Sequence, residues 1–174
     1  MITPLKDKVF VKAKRKEKTE SGIYLPEKKH GKDFGGIVAV VHPGDTTFKE
    51  GDEVFFDKYT EKRIRIDDEE YCVARKEKVL AIIRDNEIIA TGDKVIVKVK
   101  YDEKIGNIVI PEYQGSKEYQ SGFHGEVVSV GPEYPNELNK GDRVYFRRHE
   151  GKPFRYNEED YMSLKEKWVV GRVE

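Results

Sequence analysis

The sequence repeats itself once over its 174 residues, and this repeat limits the possible folds more than any other feature. Asp7-Lys8-Val9-Phe10-Val11-Lys12 returns as Asp93-Lys94-Val95-Ile96-Val97-Lys98, and Ile23-Tyr24-Leu25-Pro26-Glu27 as Ile108-Val109-Ile110-Pro111-Glu112. Gly36-Ile37-Val38-Ala39-Val40-Val41 is answered by Gly125-Glu126-Val127-Val128-Ser129-Val130. Gly51-Asp52-Glu53-Val54-Phe55-Phe56 is answered by Gly141-Asp142-Arg143-Val144-Tyr145-Phe146, and Lys76-Glu77-Lys78 by Lys165-Glu166-Lys167. The offsets run only from 85 to 90, in one order. Such a period marks a tandem duplication, so the chain divides into two units, residues 1–84 and 85–174.

The apolar residues say what each unit is made of. Val (19) and Ile (13) far outnumber Leu (5) and Ala (5), and Tyr (10) and Phe (8) add to the bias. β-branched and aromatic side chains suit a pleated, half-buried surface, whereas Leu and Ala favour helices. Val9, Val11 and Ala13 alternate with charged or aromatic neighbours at the period of a half-buried strand. Val38 to Val41 is a short apolar run stopped by Pro43-Gly44, and Gly51-Asp52 is a turn signal feeding Val54-Phe55-Phe56. Tyr71 to Ala74 and Val79 to Ile83 close the unit. Short strands with frequent turns predict an all-β chain of two small, SH3-like, partly open barrels.

Composition also removes classes of function. Lys+Arg and Asp+Glu both number 33, so no overall positive field draws the chain to nucleic acid. The run Lys12 to Lys18 is basic, but its counterpart Lys98 to Lys104 contains Asp102 and Glu103. It reads as a solvated strand end. The single cysteine, Cys72, excludes an internal disulfide and a cysteine-based zinc cluster, and the alternation around it predicts an inert, buried thiol. His30, His42, His124 and His149 lack metal-ligand spacing, and His124 reads as a strand-start residue. Asp67-Asp68-Glu69-Glu70 reads as a solvated turn, and no Gly-rich phosphate loop is present. No catalytic or metal-binding residue is expected, so the chain is not read as an enzyme. No apolar run reaches the roughly 20 residues of a membrane span, and Met1 to Asp7 carries no secretory or transit pattern. An intracellular, cytoplasmic protein is expected.

Two segments stand apart from the strands, residues 14–34 and 100–123. Both are long and mostly polar, and connections beyond about 12–15 residues are usually functional or disordered. Each holds one apolar triplet before a proline: Ile23-Tyr24-Leu25 before Pro26, and Ile108-Val109-Ile110 before Pro111. One reading makes each triplet an ordinary strand. The other makes it an extended patch offered to a partner by a flexible loop. Ordering on binding costs entropy, so each contact is weak, and several linked contacts restore affinity.

In these residues the chain resembles the ten-kilodalton co-chaperonins, the GroES family, twice over. The resemblance rests in the first unit on Pro4 to Val9, Ser21 to Pro26, the strand after Gly36, Glu50 to Phe55, and Asp68 to Tyr71 leading to Val79-Leu80-Ala81. In the second it rests on Gly92 to Val95, Gly106 to Pro111, His124 to Val127 and Lys140 to Val144. It implies two GroES-like barrels and a lid for an ATP-driven, GroEL/Hsp60-like chaperonin that encloses unfolded client proteins. Ile23, Tyr24, Leu25, Ile108, Val109 and Ile110 match the tripeptide that docks on the chaperonin's apical domains. ATP would be bound by that partner, so the resemblance implies no cofactor for this chain, and neither nucleic acid nor a membrane as partner. It implies self-association into a ring by edge pairing of first and last strands, near Ile2–Val11 and Val79–Ile83 and their counterparts. The chain departs from the family in two ways. The stretches Pro43 to Lys49 and Pro132 to Lys140 are short where family members often carry a roof hairpin. Whole tandem chains also cannot supply the usual seven barrels. A tandem SH3-like adaptor or structural protein explains the barrels, but not the repeated triplets.

Overall fold

Alternating valines build the centre of each sheet. In β1 (Lys8–Ala13) Val9 and Val11 are fully buried, and in β8 (Lys94–Lys100) Val95 and Val97 take their place. The computed structural model describes residues 2–13, 35–57, 62–100, 104–105, 108–109, 124–147 and 150–173. The chain separates into two compact units, Met1–Thr91 and Gly92–Glu174. Among the described residues it is all-β, without α-helix; two single 3-10 turns occupy Lys76–Lys78 and Glu166–Trp168.

The first unit also contains β2 (Gly35–Val40), β3 (Glu53–Phe56), β4 (Lys62–Ile66), β5 (Glu69–Arg75), β6 (Val79–Arg84) and β7 (Glu87–Ile89). They form one antiparallel sheet in the order β4-β5-β1-β2-β3-β6-β7. The second unit contains β9 (Lys104–Ile105), β10 (Ile108–Val109), β11 (His124–Val130), β12 (Arg143–Phe146), β13 (Lys152–Tyr156), β14 (Glu159–Lys165) and β15 (Val169–Val173). Its sheet runs β13-β14-β8-β11-β12-β15, with β9 and β10 as a separate ribbon. The two orders coincide strand for strand except for β7. The barrels are partly open, as expected. The end strands β4 and β7, and likewise β13 and β15, share no ladder, so each sheet curls around a core and stays open.

Three details of the sequence reading change. The charged strand Lys62–Ile66 was not foreseen, because Lys62, Arg63 and Arg65 mask its period of two. Asp67-Asp68 is the turn between β4 and β5, but Glu69 and Glu70 already belong to β5. Both turn residues are left-handed (φ 48° and 64°), as are Asp85-Asn86 and Asn157-Glu158 in the equivalent two-residue hairpins. Asp and Asn tolerate that region better than most side chains. Finally, the last repeat match slips by one residue: the 3-10 turns align Lys76 with Glu166, not with Lys165.

The cores follow the repeat, with one exchange. Val54, Phe56 and Val38 in the first unit are matched by Val144, Phe146 and Val127 in the second. Buried Ile82, which pairs with Val54, is replaced by Arg172, which pairs with Val144. Arg172 Nη1 lies 3.5 Å from Asp142 Oδ2. In the first unit Arg84, two residues beyond Ile82, holds the equivalent Asp52 with both prongs, Nε to Oδ1 at 2.8 Å and Nη2 to Oδ2 at 2.6 Å.

Gly36 and Gly125 open the strands that return from the two long segments, and both leave no room for a side chain. A Cβ on Gly125 would lie 2.6 Å from the Lys98 carbonyl oxygen, and one on Gly36 would strike the Lys12 carbonyl and Val11. Backbone cannot step aside cheaply, so Gly36→Ala or Gly125→Ala is expected to cost about 1–3 kcal/mol. Chemical unfolding can assign the loss to a unit. Cys72 is buried in the first core, and the sole tryptophan, Trp168, packs on the second. Thiol protection reports one unit and indole fluorescence the other.

A buried carboxylate makes the first unit acid-sensitive. Asp45 Oδ1 accepts from the backbone N–H groups of Thr47 (2.9 Å) and Phe48 (3.1 Å), and its other oxygen pairs with the Lys76 ammonium. Burial pushes the Asp45 carboxyl up, but Lys76 and the two N–H groups outweigh it and hold it below its ordinary value. A carboxyl with a lowered folded value stabilises above its unfolded value and loses that contribution as pH falls through the folded one. The Cys72-reported stability is therefore expected to drop below about pH 4. Asp45→Asn should flatten that drop and cost about 1.5–3 kcal/mol at pH 7, the range of a hydrogen bond to a charged group. The second unit places Tyr134 and Glu166 here instead, so the Trp168-reported transition should not share the effect.

Candidate functional site

The two long segments spring from the same corner of each sheet. Residues 14–34 join the neighbouring antiparallel strands β1 and β2, and Ala13 pairs with Gly36 at their mouth. Residues 101–123 join β8 and β11, and Lys100 pairs with His124. The two ends of each segment therefore lie side by side at one corner of the sheet.

Ile23, Tyr24, Leu25 and Ile110 lie outside the described residues, as do His30 and His149. Ile108 and Val109 form β10, which pairs antiparallel with β9 (Ile108 with Ile105, Val109 with Lys104). Gly106 and Asn107 stand between these two short strands in the sequence. Of the remaining flagged residues, Cys72 is buried, and the His124 ring lies 5.8 Å from that of Tyr145.

The sequence reading missed a side-chain group at the root of each projection. Lys12, one residue before the end of β1, places its Nζ 2.6 Å from Glu69 Oε2 and 5.4 Å from the centre of the Tyr71 ring. The Tyr71 hydroxyl donates to the same Glu69 oxygen at 2.7 Å. Donating that bond to a carboxylate, above all, holds the Tyr71 hydroxyl's pKa above its usual value. In the second unit Lys98 lies 3.0 Å from Glu159 and pairs across the ladder with Tyr161. The hydrogen bond to Glu159, ahead of any other cause, raises the Lys98 ammonium, and burial raises Tyr161. The group could have been found by aligning the repeats, because lysine, glutamate and tyrosine recur at offsets of 86, 90 and 90.

Sheet order and the duplicated corner between paired strands define a tandem protein of two open β-sheet units. The family described as the chaperonin 10 Kd subunit matches it twice, over residues 1–83 and 87–173. The chain belongs to the chaperonin-10 family, as a duplicated member. It is similar to the co-chaperonin GroES of Rhodothermus marinus, 40% identical over 93 residues that cover 48% of this chain and 93% of that one. The GroES of Halothermothrix orenii is 44% identical over 90 residues, covering 47% and 96%. The 20 kDa chloroplastic chaperonin of spinach is 28% identical over 187 residues, covering 94% of this chain and 72% of the relative. The single-unit relatives thus match half of the chain, and the spinach protein spans both halves.

Proposed function

We propose that the chain is a co-chaperonin, a lid that docks on the apical domains of a GroEL/Hsp60-like ring through its two projecting segments. The observation that carries this reading is the duplicated apolar triplet, each on a long segment that joins two paired strands. Ile23, Tyr24, Leu25, Ile108, Val109 and Ile110 make the contact. Burying such side chains is worth about 1.5–3 kcal/mol each before ordering costs. ATP acts on the chaperonin, so this chain supplies neither a nucleotide site nor a catalytic group. Its part is to close the chamber over an unfolded client.

Copies of the chain associate edge to edge through β15. Between β2 and β3, and between β11 and β12, no strand is present, so the lid lacks a roof hairpin. The compartment is that of the partner. We place it in the cytoplasm, and the spinach relative's name places a two-unit member in the chloroplast. Size-exclusion chromatography of the protein with a GroEL-type ring, with and without ATP or ADP, tests the proposal. Nucleotide-dependent co-elution is expected, and absence of binding in every nucleotide state would overturn it.

A further inference from the structure

We infer that the lysine–glutamate–tyrosine group at each root, Lys12/Glu69/Tyr71 and Lys98/Glu159/Tyr161, is a positioning device that fixes where its projection leaves the sheet. The inference rests on the reading of the projections as the docking segments. Its support is a contrast between the two units.

Two polar contacts elsewhere have diverged, although the backbone N–H bond from three residues earlier is kept on both Asp52 and Asp142. Tyr134 and Glu166 stand where Asp45 and Lys76 pair, with Asn136 donating to Glu166 at 3.1 Å, and the arginine on Asp142 comes from another register position than Arg84 on Asp52. The root group has kept all three residue types, on the same two neighbouring strands, with the lysine on the glutamate in both units. Stability does not account for this. The Lys12 and Glu69 side chains are about half exposed (48% and 54%), and exposed ion pairs contribute little to folding.

Location gives the alternative. β1 and β8 are the strands from which the projections depart. Lys12 precedes the terminal residue of β1, and Lys98 lies two residues before the end of β8. A lysine bound to a neighbouring strand by its ammonium, and in the first unit also lying over an aromatic face, keeps the last rungs of the ladder closed. The segment then starts from one fixed point. A frayed root would let the triplet explore directions that miss the groove, lowering its effective concentration there. The loss per projection is modest, about twofold. It multiplies over every projection engaged at once, reaching about tenfold for three or four.

The test uses the full chain and a GroEL-type ring with ADP. Lys12→Glu with Lys98→Glu sets carboxylate against carboxylate at both roots, and is expected to weaken binding about tenfold or more. The Cys72 and Trp168 unfolding transitions should stay in place. Adding Glu69→Lys and Glu159→Lys swaps the charges and should restore binding, a rescue that simple loss of structure would not show. Unchanged binding of the reversed variant, or no rescue by the swap, would overturn the inference. If that variant binds normally while Ile23→Asp with Ile108→Asp abolishes binding, only the positioning role falls. If the unaltered chain never binds, the docking role falls with it.

Discussion

Aspartate at both Ile23 and Ile108 is expected to abolish binding to a chaperonin ring while leaving both units folded. Losing the burial of one isoleucine removes about 1.5–3 kcal/mol, or roughly ten- to a hundredfold per projection. The introduced carboxylate raises the cost, because an apolar groove offers it no partner and the charge must be desolvated. Linked sites multiply such losses, so a modest deficit per contact becomes complete failure of the assembly to form. The fold should not notice. Ile23 lies outside the described residues, and β10, which contains Ile108, is paired among the described residues with the two residues of β9 rather than with the main sheet. Cys72 protection and Trp168 emission should match the unaltered chain, and co-elution with the ring reads the loss. The single variants separate the two projections: a larger effect of Ile23→Asp assigns the main contact to the first unit, and of Ile108→Asp to the second. Binding that persists in the double variant would remove the triplets as the contact.

How legible the molecule was in its sequence differs from element to element, for physical reasons. β1 announced itself by Val9 and Val11 at a period of two, β5 by the alternation around Cys72 and Ala74, and β3 and β6 by the short apolar runs Val54–Phe56 and Val79–Ile83. β4 did not, because an end strand needs no apolar face on its open side, and Lys62, Arg63 and Arg65 leave only Ile64 and Ile66 to carry the pattern. β7 was not foreseen as a strand because three residues cannot establish a period. Barrel closure is a property of end strands, and local sequence does not say whether two distant ends meet. The projections were visible as long polar stretches between strand signals. Their roots were not, since Lys12 and Glu69 are 57 positions apart and only the ladder of β1 on β5 brings them together.

A second large effect is expected at β15. Replacing Val170 and Val173 with aspartate should convert a multi-chain assembly into single 20.2 kDa chains, measured as absolute mass in solution. Sheet ends invite pairing unless they are blunted by charge, proline or brevity. β4 is blunted by its three basic residues, β13 by Pro153 with Lys152 and Arg155, and β7 by its length. β15 is none of these. It is five residues long with a single charge, and Val170 and Val173 are 68% and 37% exposed beside Tyr145 at 49%. The first unit shows the same edge occupied. There β7 pairs with β6, Ile89 against Ile82 and Ile88 against Ile83, and Leu80 and Ile83 are buried where Val170 and Val173 are exposed. Counting back from Asp93 and Asp7, Ile88-Ile89 of the second repeat corresponds to Ile2-Thr3 of the first. On the proposed edge-to-edge association the expected occupant of β15 is the leading segment of another copy, with Ile2 opposite Val173 and Thr3 opposite Arg172. Ile2 and Leu5 are themselves exposed (41% and 64%). Two lost valine contacts and two desolvated carboxylates cost several kcal/mol at every junction, and a closed ring needs all of its junctions. Ile2→Asp, on the opposite side of the same junction, should have the same consequence. An unchanged mass in both variants would show that the copies meet elsewhere.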